Sequence, residues 1–104
     1  MKLYHYTDKP FNQIDASKCD GFWMTTIAPT QTELLDEIGA SGLSYCLVCE
    51  FNDGGEYILN GSNYDVAEQL ERENADFIEN RYDGFTDYAI TNPSLVKILE
   101  TIKL

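Results

Sequence analysis

The segment from residue 43 to residue 51 constrains the fold most strongly, because it alternates in the manner of a half-buried strand. Leu43, Tyr45, Leu47, Cys49 and Phe51 fall on one face, since successive side chains of a strand point to opposite sides. Other strand-like segments, bounded by Gly, Asn, Asp or Pro, are predicted by the same reasoning. They are residues 2–7, 21–25, 56–59, 87–90 and 96–104. The pattern predicts about six strands, most of them antiparallel.

Two helices are predicted between these strands. Residues 30–33 (Thr-Gln-Thr-Glu) match a capping box, and Gly39 is a natural stop after the apolar positions that follow. A second helix is predicted over about residues 64–80, although its apolar stripe is imperfect near Asn74, so that it can be two pieces. At 104 residues, the chain is expected to form one α+β domain over residues 1–104.

Turn signals complete the topology expected from the sequence. Residues 52–55 (Asn-Asp-Gly-Gly) predict a tight turn that returns the chain into the strand at residues 56–59. Residues 82–85 (Tyr-Asp-Gly-Phe) predict a second turn before the strand at residues 87–90, and Asn92-Pro93 interrupts the chain before the last strand.

The charge of the chain restricts its partners. Lys and Arg number 7 against 18 Asp and Glu, for a formal net charge of −11. Such a surface repels nucleic-acid phosphates and anionic lipid, so we expect no direct binding to nucleic acid or membrane. A basic protein, including one that itself binds nucleic acid, is the expected partner; the alternative is that the charge only maintains solubility.

The cysteines and the termini favour a reduced, cytoplasmic protein. Cys19, Cys46 and Cys49 are an odd number, which argues against a closed disulfide set. Cys46 and Cys49 have C-x-x-C spacing, but on a strand they face opposite sides, and the single histidine leaves no second ligand pair, so no metal is expected. Neither a signal peptide nor a membrane span is expected, because residues 1–6 contain no apolar h-region and no apolar run approaches the ~20 residues that span a bilayer.

Three places carry side chains suited to chemistry. His5, the only histidine, lies on the first strand, where the alternative is a half-buried ring bonded to a backbone carbonyl. Phe22 and Trp23 offer flat rings for stacking a planar base, although this segment can also be a core strand with one large anchor. Asp87 heads an apolar strand, and it is either a solvated turn residue or a carboxylate held in a cleft.

The order of these motifs resembles the His-Tyr-Glu branch of the ADP-ribosyltransferase superfamily, especially its small bacterial and phage members. The resembling segments are residues 3–7 (Leu-Tyr-His-Tyr-Thr), 21–26 (Gly-Phe-Trp-Met-Thr-Thr) and 82–98, which contains Asp87 and Asn92-Pro93. The resemblance covers nearly the whole chain, and its C-terminal segment is the most specific part. It implies a small α+β domain with a mainly antiparallel split β-sheet core and about two helices.

The resemblance also assigns roles. His5 would contact the adenosine ribose of NAD, with Thr7 beside it, and Trp23 would stack on nicotinamide. Asp87 would be the catalytic acid residue that holds the nicotinamide ribose hydroxyl.

Three of these positions depart from the family's usual residues. Tyr6 stands where the family has glycine, whose backbone holds the nicotinamide amide. Trp23 replaces tyrosine, and Asp87 replaces glutamate. Among the scarce cations, Lys9 and Lys18 are the candidates for the pyrophosphate.

The expected function is therefore an NAD-dependent mono-ADP-ribosyltransferase that modifies a macromolecule, in particular a protein. Relatives of this size include bacterial toxins and phage proteins that disable host defences, anti-CRISPR proteins among them. The acceptor is expected to contact residues 80–86. The alternatives are a non-enzymatic acidic inhibitor on the same fold that occupies a basic groove of its partner, and a plain NAD hydrolase.

Overall fold

The computed structural model describes residues 1–11, 22–60 and 66–104. Its strands and helices follow one another in an order close to that expected from the sequence. They are β1 (Lys2–Thr7), β2 (Phe22–Thr25), α1 (Thr32–Glu37), β3 (Tyr45–Phe51), β4 (Tyr57–Leu59), α2 (Val66–Arg72), β5 (Phe77–Tyr82), β6 (Phe85–Ile90), a 3₁₀ turn (Pro93–Leu95) and β7 (Val96–Lys103).

The strands form a single seven-stranded sheet in the order β4-β5-β6-β2-β1-β3-β7. Every neighbouring pair in it is antiparallel except β4 and β5, which are parallel. The α+β class and the mainly antiparallel sheet are thus confirmed, and the described ranges contain two α-helices. None of these helices is long and apolar enough to cross a bilayer.

The sheet is nearly divided between β1 and β2. These strands share one registered pair, Tyr4 with Thr25, whereas β1 pairs with β3 at every position from Lys2 to Thr7. On its other side, β2 pairs with β6 along its whole length, from Phe22 to Thr25. Two well-paired halves therefore meet at a narrow junction instead of forming a fully separated sheet.

The hairpin predicted at residues 52–55 is wrong. β4 does not return along β3 but pairs with β5 at the far edge of the sheet, with Tyr57 opposite Phe77. The reason is that both edges of β3 are already occupied, one by β1 and the other by β7. The Asn-Asp-Gly-Gly segment starts a crossover instead, and its first amide, from Asn52, donates to the carbonyl of Leu95 at 2.8 Å.

The helix predicted over residues 64–80 is wrong in its second half. α2 ends at Arg72, and Asn74 has a left-handed backbone (φ 54°), which stops a helix. The amide of Ala75 donates to the carbonyl of Leu70 at 2.9 Å, which is the closing bond of a Schellman motif. The chain then continues as β5, in which Phe77 and its neighbour are buried on opposite faces.

The capping box predicted for α1 is also wrong, although the stop after it is confirmed. The helix begins one residue later than a Thr30 cap requires, and its N-cap, Gln31, makes no side-chain cap bond. At the other end Gly39 has φ 75°, and the amide of Ala40 donates to the carbonyl of Leu35 at 2.8 Å. Glycine is suited to this Schellman position because it has no Cβ to oppose a left-handed backbone.

Residues 80–86, which are expected to contact the acceptor, form a hairpin. β5 and β6 remain in register up to Tyr82 and Phe85, so that only Asp83 and Gly84 (φ 89°) form the turn. The turn predicted here is confirmed. Tyr82 is exposed at its tip and stacks on Phe85 with 5.1 Å between ring centroids.

The core lies on both faces of the sheet. One face carries the largest cluster of buried side chains. This cluster consists of Leu3, Phe22, Met24, Leu47, Cys49, Phe51, Phe77, Tyr88 and Ile90. The opposite face is covered by α2, through Leu70 on Ile78 and Ala89, and by the α1 region, through Ile27, Leu35 and Ala40. The thiols of Cys46 and Cys49 are free and buried.

Candidate functional site

A cleft of about 280 Å³ opens at the junction where β1 and β2 part. One wall is formed by strand residues: Tyr4, His5 and Tyr6 from β1, Trp23, Met24 and Thr25 from β2, and Asp87 from β6. The other wall comes from the segment that follows α1: Ile38, Gly39, Ala40 and Leu43. The cleft therefore gathers His5, Trp23 and Asp87, one residue from each of the three places that the sequence singled out for chemistry, but not Phe22.

His5 occupies the gap between the two strands. Its Nδ1 lies 2.6 Å from the backbone carbonyl of Trp23, so that a side-chain N–H takes the place of a ladder donor. The ring packs on Phe22, with 4.3 Å between centroids, and on Phe11 at 5.8 Å. The carbonyl-bonded ring that was the alternative for His5 is thus present; it packs against Phe22 and Phe11 on the main-core side, while the residue also contributes to the lining of the cleft.

The hydrogen bond of His5 determines its tautomer. A carbonyl only accepts, so Nδ1 carries the proton and Nε2 keeps a lone pair. Burial lowers the pKa of His5 below its ordinary 6.5, and the bond to Trp23 opposes that shift only in part. The ring is therefore neutral near pH 7, and Nε2 can accept a hydrogen bond from a hydroxyl group.

One carboxylate oxygen of Asp87 accepts no hydrogen bond from the described residues. Asp87 lies mid-sheet, between Thr25 of β2 and Asn80 of β5, and its Oδ1 is buried with no hydrogen-bond partner among the described residues. Burial raises its pKa, and a hydrogen bond from Thr25 partly opposes the shift. A buried, unpaired acceptor costs free energy, and a donor that reached it would recover that cost.

Trp23 differs from its neighbours in exposure. Phe22 and Met24 point into the main core and are 6% and 2% exposed, whereas Trp23 points to the other face and is 36% exposed. An indole ring so accessible at the rim of a cleft is a surface on which a flat ligand ring can stack. The core-strand reading therefore holds for the neighbours of Trp23 and not for Trp23 itself.

Tyr6 ties β1 to the segment that leads into α1. Its hydroxyl donates to the carbonyl of Ile27 at 2.5 Å. Burial and the neighbouring Cys46 raise the pKa of Tyr6 well above its ordinary value. The side chain expected to replace a family glycine thus serves as a structural tie at the edge of the cleft.

Three predicted cofactor-binding residues do not line this cleft in the described part of the chain. Phe22 lies in the main core, because its strand directs alternate side chains there. The hydroxyl of Thr7 is used locally, where it accepts from the amide of Lys9 at 3.1 Å, and the Lys9 side chain is exposed. Lys18 lies outside the described residues.

The sequence did not indicate the second wall. From the sequence, Ile38 is only an apolar position of the first predicted helix, and Leu43 and Thr25 are only the first and last residues of predicted strands. None of them, nor Ala40, is predicted to line a site. The signal was Gly39, because a left-handed stop turns the chain back, here toward β1.

Comparison with known proteins gives no relative. No protein-family model, no curated protein and no solved structure matches this chain.

Proposed function

We propose that this chain is an NAD-dependent mono-ADP-ribosyltransferase with an ADP-ribosyltransferase-like fold, acting on a protein target. The observation that carries the proposal is the position of Asp87, whose buried Oδ1 has no partner among the described residues, in a cleft that is also lined by the exposed Trp23 and by His5. The near-division of the sheet between β1 and β2 supports the same fold family.

The residues of the cleft fit the substrate group by group. The Trp23 ring would stack on nicotinamide, and Nε2 of His5 would accept a hydrogen bond from a ribose hydroxyl. The Asp87 carboxylate would accept from the hydroxyl of the nicotinamide ribose, which provides the donor that Oδ1 lacks.

The chemistry depends on charge. NAD supplies a bond between nicotinamide and ribose, whose cleavage builds positive charge on the ribose carbon, as in glycoside hydrolysis. A preorganised carboxylate, on a strand that is paired on both sides, would stabilise that charge without first having to reorganise. Asp87 must be ionised for this, so activity is lost as the pH falls through its raised pKa.

A transfer assay tests the proposal. Labelled NAD is added to a bacterial lysate with the wild-type chain, with Asp87→Asn or with Asp53→Asn, which makes the same chemical change at an exposed loop position. We expect a labelled protein with the wild type and with Asp53→Asn, and a signal reduced about 100-fold or more with Asp87→Asn. Equal labelling by the two variants would contradict the role of Asp87, and no labelling by any of them would contradict the transferase.

The second candidate function is the acidic inhibitor, and the outer face of α1 favours it. Glu33, Asp36 and Glu37 are all exposed there, and the last turn of this helix has no basic residue. A basic groove on a nucleic-acid-binding partner would be complementary to this face. A pull-down whose yield falls steeply with salt, is unchanged by Asp87→Asn and is lost with Glu33→Lys/Glu37→Lys would support the inhibitor.

A further inference from the structure

The cleft carries a negative charge and no positive one among its described lining residues. Asp87 is the only lining residue among those described that carries a formal charge near neutral pH, because burial keeps His5 neutral and no lining side chain is Lys or Arg. A cleft built in this way attracts a cation and provides no side-chain charge for a phosphate.

Trp23 and Asp87 are spaced to act on the same ligand group. Trp23 pairs with Ala89 on β6, and Asp87 lies two residues before Ala89 on the same face of that strand. Such diagonal neighbours on adjacent strands are about 7–8 Å apart, within reach of an aromatic side chain. An aromatic face beside a buried carboxylate is the combination that binds flat organic cations.

The size of the cleft limits what it encloses. Its volume of about 280 Å³ lies at the lower end of the ~300–1,000 Å³ of sites for drug-sized ligands. A single base with its ribose is of that scale, whereas a dinucleotide is much larger. Only one nucleoside half of a dinucleotide can therefore be enclosed by the described walls.

We propose that the cleft recognises the cationic ring of an N-ribosylpyridinium nucleoside, and that the pyrophosphate and adenosine of NAD add little affinity. The inference rests on the proposed function in that the same cleft is taken as the nicotinamide site. It goes further by naming the positive charge of the ring as the feature selected, through Asp87 and Trp23, and the riboside as the ligand unit.

Titrations with matched ligands test it. Trp23 is the only tryptophan of the chain, so its fluorescence reports on this cleft, and calorimetry gives an independent affinity. The probes are nicotinamide, which is neutral, nicotinamide methylated on its ring nitrogen, which is a cation, nicotinamide riboside, NAD and ADP-ribose. We expect saturable binding of the methylated cation about 10-fold tighter than that of nicotinamide, since a partly desolvated cation–π contact and an opposite charge act together.

Two variants assign that preference to residues. Asp87→Asn should abolish the preference for the cation, and Asp53→Asn, on an exposed loop, should retain it. Thermal unfolding of both variants serves as the control that they are folded. An equal affinity of wild type for nicotinamide and its methylated form would overturn the inference, as would a cation preference that survives Asp87→Asn.

The phosphate part of the proposal has its own comparison. Nicotinamide riboside and NAD should bind within about threefold of each other near 0.15 M salt, and ADP-ribose, which lacks the cationic ring, should bind most weakly. NAD binding more than tenfold tighter than the riboside would overturn this part.

The two proposals fail separately. Cation selectivity without ADP-ribose transfer would leave the inference standing and remove the transferase. Transfer by a cleft that does not distinguish the cation from the neutral ring would do the reverse.

Discussion

The two edges of β1 show how one strand serves both stability and chemistry. Along the β3 edge every residue from Lys2 to Thr7 has a registered partner, and the side chains that β3 directs toward the main core are buried. Along the β2 edge only Tyr4 is registered, and the gap is filled by an imidazole and a cleft. The closed edge satisfies its polar groups within the fold, whereas the open edge leaves a carboxylate oxygen unsatisfied. Residues at the open edge should therefore affect ligands strongly and stability weakly, and residues at the closed edge the reverse.

The largest expected effect lies at the closed edge. Leu47 of β3 is fully buried opposite His5, and Leu47→Ala should lower the free energy of unfolding by about 2–5 kcal/mol, because it removes packed methyl groups and leaves a cavity. Urea denaturation measures this, with Leu99→Ala on the exposed side of β7 as control. A loss at Leu47 no greater than that at Leu99 would contradict the assignment of the core.

The open edge should show the opposite balance at Asp87. Asp87→Asn should abolish transfer, yet raise the free energy of unfolding near pH 7 by on the order of 1 kcal/mol, since a buried charge is removed. Because burial raises the pKa of Asp87 in the folded state, that gain should shrink as the pH falls and vanish below the ordinary value of 3.8. Urea denaturation from pH 7 to pH 3 checks the sign, and a variant less stable than wild type at pH 7 would refute it.

The wall of the cleft should depend on one glycine. Gly39 has φ 75° and open space where a Cβ would lie, so Gly39→Ala should cost about 1–2 kcal/mol through backbone strain alone. Gly42→Ala is the matched control, because that position also has open space but no left-handed backbone; it should be neutral or slightly stabilising. Equal thermal midpoints for the two variants would show that the strain at Gly39 is relieved elsewhere.

The smallest expected effect concerns His5. Its pKa is lowered in the folded state by burial, so the unfolded chain binds more protons, and stability should fall as the pH drops through the ordinary value of 6.5. His5→Gln should flatten that slope between pH 7.5 and pH 5.5, because glutamine does not titrate. The slope is measured by urea denaturation at several pH values. A wild-type slope retained in full by the variant would assign it to other groups.

Local signals in the sequence predicted where elements end. Gly39, the turn at Asp83 and Gly84, and the break at Asn92-Pro93 are all found where expected, since a left-handed residue or a proline acts within a few positions of itself. The amide of Ser94 donates to the side chain of Asn92 at the start of the 3₁₀ turn, as asparagine does at such caps.

Which strands pair with each other could not be predicted from local sequence signals. The Asn-Asp-Gly-Gly segment has the composition of a hairpin turn, but β4 crosses the sheet because β1 and β7 already occupy both edges of β3. In the sequence, Phe77 and Ile78 continue the apolar stripe of the helix predicted over residues 64–80. In the structure they lie on opposite faces of the sheet, in two different core clusters.

The sequence by itself determined the alternation of the strands, the stop of α1 at Gly39, the negative charge of −11 and the kinds of side chain available for chemistry at His5, Trp23 and Asp87. The tertiary structure decided that these three residues line one cleft, that Phe22 points away from it, and that Oδ1 of Asp87 is buried without a partner among the described residues. The physical reason is the distance along the chain over which each effect acts. Alternation and turn propensity act over a few neighbouring residues, whereas burial and pKa depend on strands that are distant in the chain and meet only when the sheet is assembled.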